Sequence, residues 1–210
     1  MAGPNEHCMM KEGSLEVDSS TITKENPSES RRILYLALGS TLAFSLYSVL
    51  ILDPVGKCFR MEDSSNSLGL TFSYTLQMVQ DFFELRSQDQ LDCYSEFLQI
   101  WDVIFAVIYA SMYGSWIMYF FHSRRILLVV PILAMVADWA ENFVEIMMIN
   151  SYLDSNSISE TLVSVGSGIN MIKWIFLSLT YMIILVGISN KIKSALSKSK
   201  SNEDNNLLID

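Results

Sequence analysis

Asp138, Glu141 and Glu145 stand at i, i+3 and i+7 within an otherwise apolar stretch from Ile126 to Ile149. On a helix these positions form one stripe. Carboxyl groups held there can exchange protons, bind a cation, or act as general acid and base. A second polar stripe lies earlier in the chain. Asp102, Tyr109, Tyr113 and Trp116 recur at i, i+7, i+11 and i+14. The last apolar segment carries Asn170 and Lys173, and the first offers the hydroxyls of Ser45 and Ser48. Antiparallel helices bring these groups to matching depths. The expected site is a polar pocket of Asp102, Tyr109, Tyr113, Asp138, Glu141, Asn142, Glu145, Asn170 and Lys173. Lys173 is expected to pair with Glu141 or Glu145, because an unpaired ammonium at that depth is costly. Four carboxylates facing one lysine leave such a pocket acidic, so it calls for protons or a bound cation. The competing reading is a polar network that only fixes helix packing. Interhelical hydrogen bonds contribute about 0.6 kcal/mol each on average, and this set of charges exceeds what packing alone requires.

The elements that position these groups are membrane spans. Twelve Leu, Ile, Val and Phe residues between Ile126 and Ile149 favour insertion by roughly 4–7 kcal/mol in total. Three carboxylates oppose it by up to about 2.5–3.5 kcal/mol each at mid-bilayer. The segment is stable in lipid only with its polar stripe turned inward. Segments 32–52, 101–121 and 169–189 are long enough to cross a bilayer and almost free of charge. The fold class is therefore all-α: a four-helix transmembrane bundle with spans over 32–52, 101–121, 126–149 and 169–189. The polar tails over 1–30 and 190–210 are expected to be disordered.

The basic residues orient the bundle. Arg31 and Arg32 precede span one, Arg124 and Arg125 join spans two and three, and Lys191, Lys193, Lys198 and Lys200 follow span four. The connection from Ser151 to Gly168 has no Lys or Arg. By the positive-inside rule both termini are cytosolic, and the net charge of −9 does not bear on this. No cleavable signal peptide is expected. Near the end of the chain, Glu203, Leu207 and Leu208 have the spacing of an acidic dileucine sorting signal. The membrane is accordingly that of the cell surface or of an endosomal or vacuolar compartment, and the competing reading of the motif is a chance pattern.

The long outer loop, 53–100, contains two amphipathic helices. Leu76, Val79, Phe82 and Phe83 recur at helical spacing, and Ser87 is placed to cap a second helix that carries Leu91, Tyr94, Leu98 and Trp101 into span two. These helices either cover the outer end of the bundle or rest among lipid headgroups. Cys58 and Cys93 fall in the same loop, where they either form a disulfide or remain free. His7 and His122 fit no metal spacing, and no cysteine or histidine pattern indicates zinc, iron–sulfur or haem. Trp116, Trp139 and Trp174 read as packing or lipid-facing groups.

Asp102-Val-Ile-Phe105…Tyr109, then Pro131…Asp138-Trp-Ala-Glu141-Asn142, then Lys173, resemble a small, mainly bacterial family of four-span integral membrane proteins of unknown function. The resemblance covers 33–189. It implies the same bundle, a helical segment before span two, and these polar positions, but no activity. Ala106 stands where the family pattern tends to have Pro, so any kink there is expected to be absent. Three functions follow as expectations. The first is a pocket that binds or translocates a cation, proton or small polar ligand, with transport requiring a homo-oligomer. The second is an accessory or assembly subunit docked on a partner membrane protein. The third is an intramembrane lipid-modifying enzyme. No Ser/His/Asp set, His-rich metal set or Asp-x-x-Asp-Gly motif supports the enzyme, so the reading leans away from it. The sequence names no cofactor. Membrane lipid is the expected surrounding partner and nucleic acid is not expected.

Overall fold

A computed structural model describes residues 27–61 and 67–207, with side chains described for 28–61 and 67–197. Among the described residues every regular element is helical. Four helical runs are long and apolar enough to cross a membrane: Ser28–Gly56, Gln88–Phe120, Arg125–Ser155 and Glu160–Ser197. Each is longer than the span expected from hydropathy, because helix continues past the apolar core at its ends.

The first run begins with α1 (Pro27–Tyr47), continues through a π-helical segment at Ser48–Leu52, and ends in α2 (Asp53–Gly56). A 3-10 turn at Leu68–Leu70 precedes α3 (Leu76–Glu84) and α4 (Gln88–Glu96). Thr75 caps α3 by accepting from the Met78 N–H, and Ser87 with Gln90 forms a reciprocal capping box on α4. As its sequence predicts, α4 runs on toward the second span, through a π-helical segment at Phe97–Trp101 into α5 (Asp102–Phe120). Ala106 lies within unbroken α-helix, and the irregularity falls one turn earlier. A 3-10 turn at Arg125–Leu128 leads into α6 (Val129–Ser155), which ends on Asn156 in the left-handed region. The last helix, α7 (Glu160–Leu207), extends through most of the segment expected to be an unstructured tail. That segment contains no proline or glycine to stop it. Glu203 and Leu207 lie in this helix, and Leu208 lies outside the described residues.

Short connections make α5, α6 and α7 antiparallel neighbours. Helix α6 packs along α7, α5 packs against both, and α1 packs mainly on α5. Only 6% of the apolar window of α1 is buried, so most of its surface is left for lipid. Two cores stabilise the molecule. One lies among α5, α6 and α7 around Ala106, Tyr109, Met112, Tyr113 and Ala134. The other joins the loop helices to the end of the bundle through Phe59, Val79, Phe82, Phe83, Leu91, Tyr94, Met148 and Ile149. The loop helices therefore cover that end by burying an aromatic face on it. Cys58 and Cys93 form a disulfide, with Cα atoms 6.4 Å apart.

Candidate functional site

Lys173 is the hub of the polar centre. Its ammonium lies 3.1 Å from Asp138 Oδ1, forms an ion pair with Glu141 Oε2, and donates to the Gly69 carbonyl at 3.1 Å. Of the two partners expected from sequence it takes Glu141, and it adds Asp138. Glu145 instead accepts from the Tyr94 hydroxyl. That hydroxyl also meets Ser67 Oγ at 3.0 Å and accepts from the Leu68 N–H at 3.3 Å. Asn142 Nδ2 donates to Asp102 Oδ2 at 2.9 Å and to the Leu98 carbonyl at 3.3 Å. The Tyr109 hydroxyl approaches Asp138 without closing a well-formed hydrogen bond. Tyr113 donates to the Tyr181 hydroxyl at 2.5 Å.

Helix α7 fixes the connecting segment over this centre with one face. Ser167 Oγ accepts from the Tyr74 N–H at 3.0 Å, Asn170 Nδ2 donates to the Thr71 carbonyl at 2.7 Å, and Trp174 Nε1 donates to the Gly69 carbonyl at 3.2 Å. A side chain at Gly69 would stand 3.1 Å from the Lys173 ammonium and 3.2 Å from Glu141 Oε1. Glycine lets the backbone come close enough to serve as a ligand of the buried cation. Burial first, and then the Glu145 and Glu141 carboxylates, raises Tyr74 above the usual phenol range, so its hydroxyl keeps its proton.

These groups border a cavity of about 380 Å³. Asp102, Tyr109, Tyr113, Asp138, Asn142, Glu145 and Lys173 reach it, whereas Glu141 and Asn170 lie behind the wall. Ser48 lines it from the first span, and the exposed Ser45 instead bonds within its own helix at the Thr41 carbonyl. Phe44, Leu52, Phe97, Phe105, Trp174 and Leu177 form an apolar side. Both π-helical segments border the cavity, through Ser48 and Leu52 and through Phe97 and Leu98. In the second of them the Leu98 and Trp101 carbonyls accept from Asn142 and from the Tyr47 hydroxyl. Such widened turns leave carbonyls for side chains to bind and recur at functional sites.

Sequence reasoning missed Gly69, Tyr94, Tyr181 and Tyr74. Tyr94 was legible as an apolar-face residue of α4, but its carboxylate partner was not. Trp174 is a cavity wall as well as a packing group. Trp116 donates to Thr41 Oγ1 at 2.9 Å and Trp139 to the Val103 carbonyl at 3.2 Å, so both tie neighbouring helices together. Among the described residues no group of three or more His, Cys, Asp or Glu side chains is arranged to hold a metal ion.

The arrangement can hold a positive group against several carboxylates in a water-poor space. No family model, no curated protein and no solved structure matches this chain.

Proposed function

We propose that this chain is a multi-pass membrane protein whose acidic pocket binds or translocates a cation, a proton or a small polar ligand. The observation that carries the reading is the cavity itself. Asp53, Asp102, Asp138 and Glu145 line it with Lys173 and Arg60 as the cations among its lining residues, Arg60 being paired with Asp53, and its wall holds polar atoms without well-formed hydrogen bonds. The hydroxyl of Tyr109, beside Asp138, and Oε1 of Glu145, on the residue beside Glu141, are buried without a well-formed hydrogen bond. Native proteins rarely leave such groups unsatisfied, since each costs about 1–3 kcal/mol. A bound donor or cation supplies what is missing. The basic residues at the span ends support a pocket opening on the side opposite two cytosolic termini.

The test is the unfolding midpoint of purified protein in lipid nanodiscs, titrated with ammonium ion at constant ionic strength. A ligand that binds only the folded state stabilises it by about 2.7 kcal/mol at a hundred times its dissociation constant. Wild type is expected to gain stability with ammonium, and Asp138→Asn to lose most of that response. Identical midpoints in both proteins at every concentration would overturn the reading.

A further inference from the structure

We infer that the pocket takes a single-chain amphiphile with a cationic amine head, which enters from the bilayer between α1 and α7. The inference rests on the acidic-pocket reading above and specifies the ligand. Three observations carry it. First, the cavity is two-sided: its polar side holds Asp102, Asp138 and Tyr109, and its other side is Phe44, Leu52, Phe105 and Leu177. A site for a bare ion has no use for so large an apolar wall. Second, the polar side can hold an ammonium. Among the described residues Asp102 has one neutral amide partner, Asn142, and no ion pair within contact distance. Tyr109, a buried residue that lines the cavity, brings its hydroxyl beside Asp138 without a well-formed bond of its own. An ammonium donates three hydrogen bonds and so suits these acceptors. The absence of a metal-holding set among the described residues favours an organic cation over a metal ion.

Third, the apolar side extends toward lipid. Helix α1 packs mainly on α5, and Phe44, Ser48 and Leu52 from the first run line the cavity together with Trp174, Leu177 and Tyr181 of α7. At about 380 Å³ the space lies near the lower end of the roughly 300–1,000 Å³ typical of small-ligand sites. It admits one hydrocarbon chain and not a two-chain phospholipid. The amine sits at Asp102 and Asp138, and the chain runs along Phe44 and Leu177 toward the gap between α1 and α7.

The experiment is quenching of tryptophan fluorescence in nanodiscs by ω-bromododecylammonium, ω-bromobutylammonium and ω-bromododecanol. Trp174 is the tryptophan on the cavity wall, and Trp174→Phe identifies its share of the signal. The expected result is saturable quenching by the dodecyl amine, with half-saturation lower than for the butyl amine by about tenfold or more, since each buried methylene adds affinity. Dodecanol, which partitions into lipid as well but lacks the charge, is expected to give only weak, unsaturated quenching. Equal half-saturation for the two amines would overturn the amphiphile and leave the acidic pocket standing. Saturable quenching by dodecanol as strong as by the amine would overturn the cationic head. Quenching by the dodecyl amine that never saturates, with ammonium still stabilising the fold, would also overturn the inference while the pocket reading survives. These comparisons use the wild-type chain, so none depends on whether a variant folds.

Discussion

The cap formed by α3 and α4 and the polar centre beneath it treat buried polar groups in opposite ways. In the cap, Arg86 is buried, yet its guanidinium donates to the Phe59 carbonyl at 2.8 Å and the Phe82 carbonyl at 2.7 Å. It also stacks 3.4 Å from the centre of the Phe82 ring. Burial lowers its pKa, and the guanidinium stays charged because arginine starts so far above neutrality. Each of these Arg86 interactions closes on the protein itself. At the centre, carboxylates crowd one lysine, and Tyr109 and Glu145 keep unsatisfied atoms against a cavity. The cap's groups serve stability, whereas on the proposed reading the centre leaves bonding capacity for a ligand.

That contrast can be broken or sharpened by substitutions. The largest effect is expected from Lys173→Ala, which leaves Asp138 and Glu141 buried without their counter-charge. Breaking such a pair costs about 3–5 kcal/mol, seen as a lower midpoint in denaturant unfolding. Response to ammonium should change in the same protein, because the charge balance of the pocket changes. Next is Cys58→Ser with Cys93→Ser. The bridged cysteines are 35 residues apart, and opening a loop of that size costs about 3–4 kcal/mol in the chain-entropy account. Here the midpoint falls and the response to ammonium is retained, which separates cap from centre. The smallest effect is expected from Trp116→Phe, which removes one interhelical bond to Thr41. A loss of about 0.6 kcal/mol is typical in membranes, with no change in ligand response. A Trp116→Phe protein that lost its cation response would blur the division between packing groups and pocket.

Much of the cap was legible because its signals are local. The Leu76, Val79, Phe82 and Phe83 spacing and the Ser87 cap each lie within a few residues, and the structure uses them as the pattern implies. The four apolar runs were legible for the same reason. The centre was legible by residue type and less so by partner. Depth arithmetic brought Lys173 to Glu141, but not the reach of its flexible stem to Asp138. Glu145 meets Tyr94, 51 residues away, and no periodicity reports a contact of that kind. Gly69 contributes a backbone carbonyl, which any residue carries, so side-chain chemistry gave it no signal. The π-helical turns at Ser48–Leu52 and Phe97–Trp101 were invisible too. At Phe97–Trp101 the freed carbonyls bind Asn142 and Tyr47, distant contacts that the propensity of the turn's residues does not report.

The central claim is that the centre, and not the cap, answers to a cation. The direct measurement is the unfolding midpoint of wild type, the double cysteine variant and Asp102→Asn, each followed as ammonium rises at fixed ionic strength. An asparagine oxygen can still accept from Asn142, so Asp102→Asn should start close to wild type. The account predicts parallel rises for wild type and the cysteine variant, the latter from a lower starting point, and a nearly flat line for Asp102→Asn. A line for Asp102→Asn that rises in parallel with wild type would contradict it.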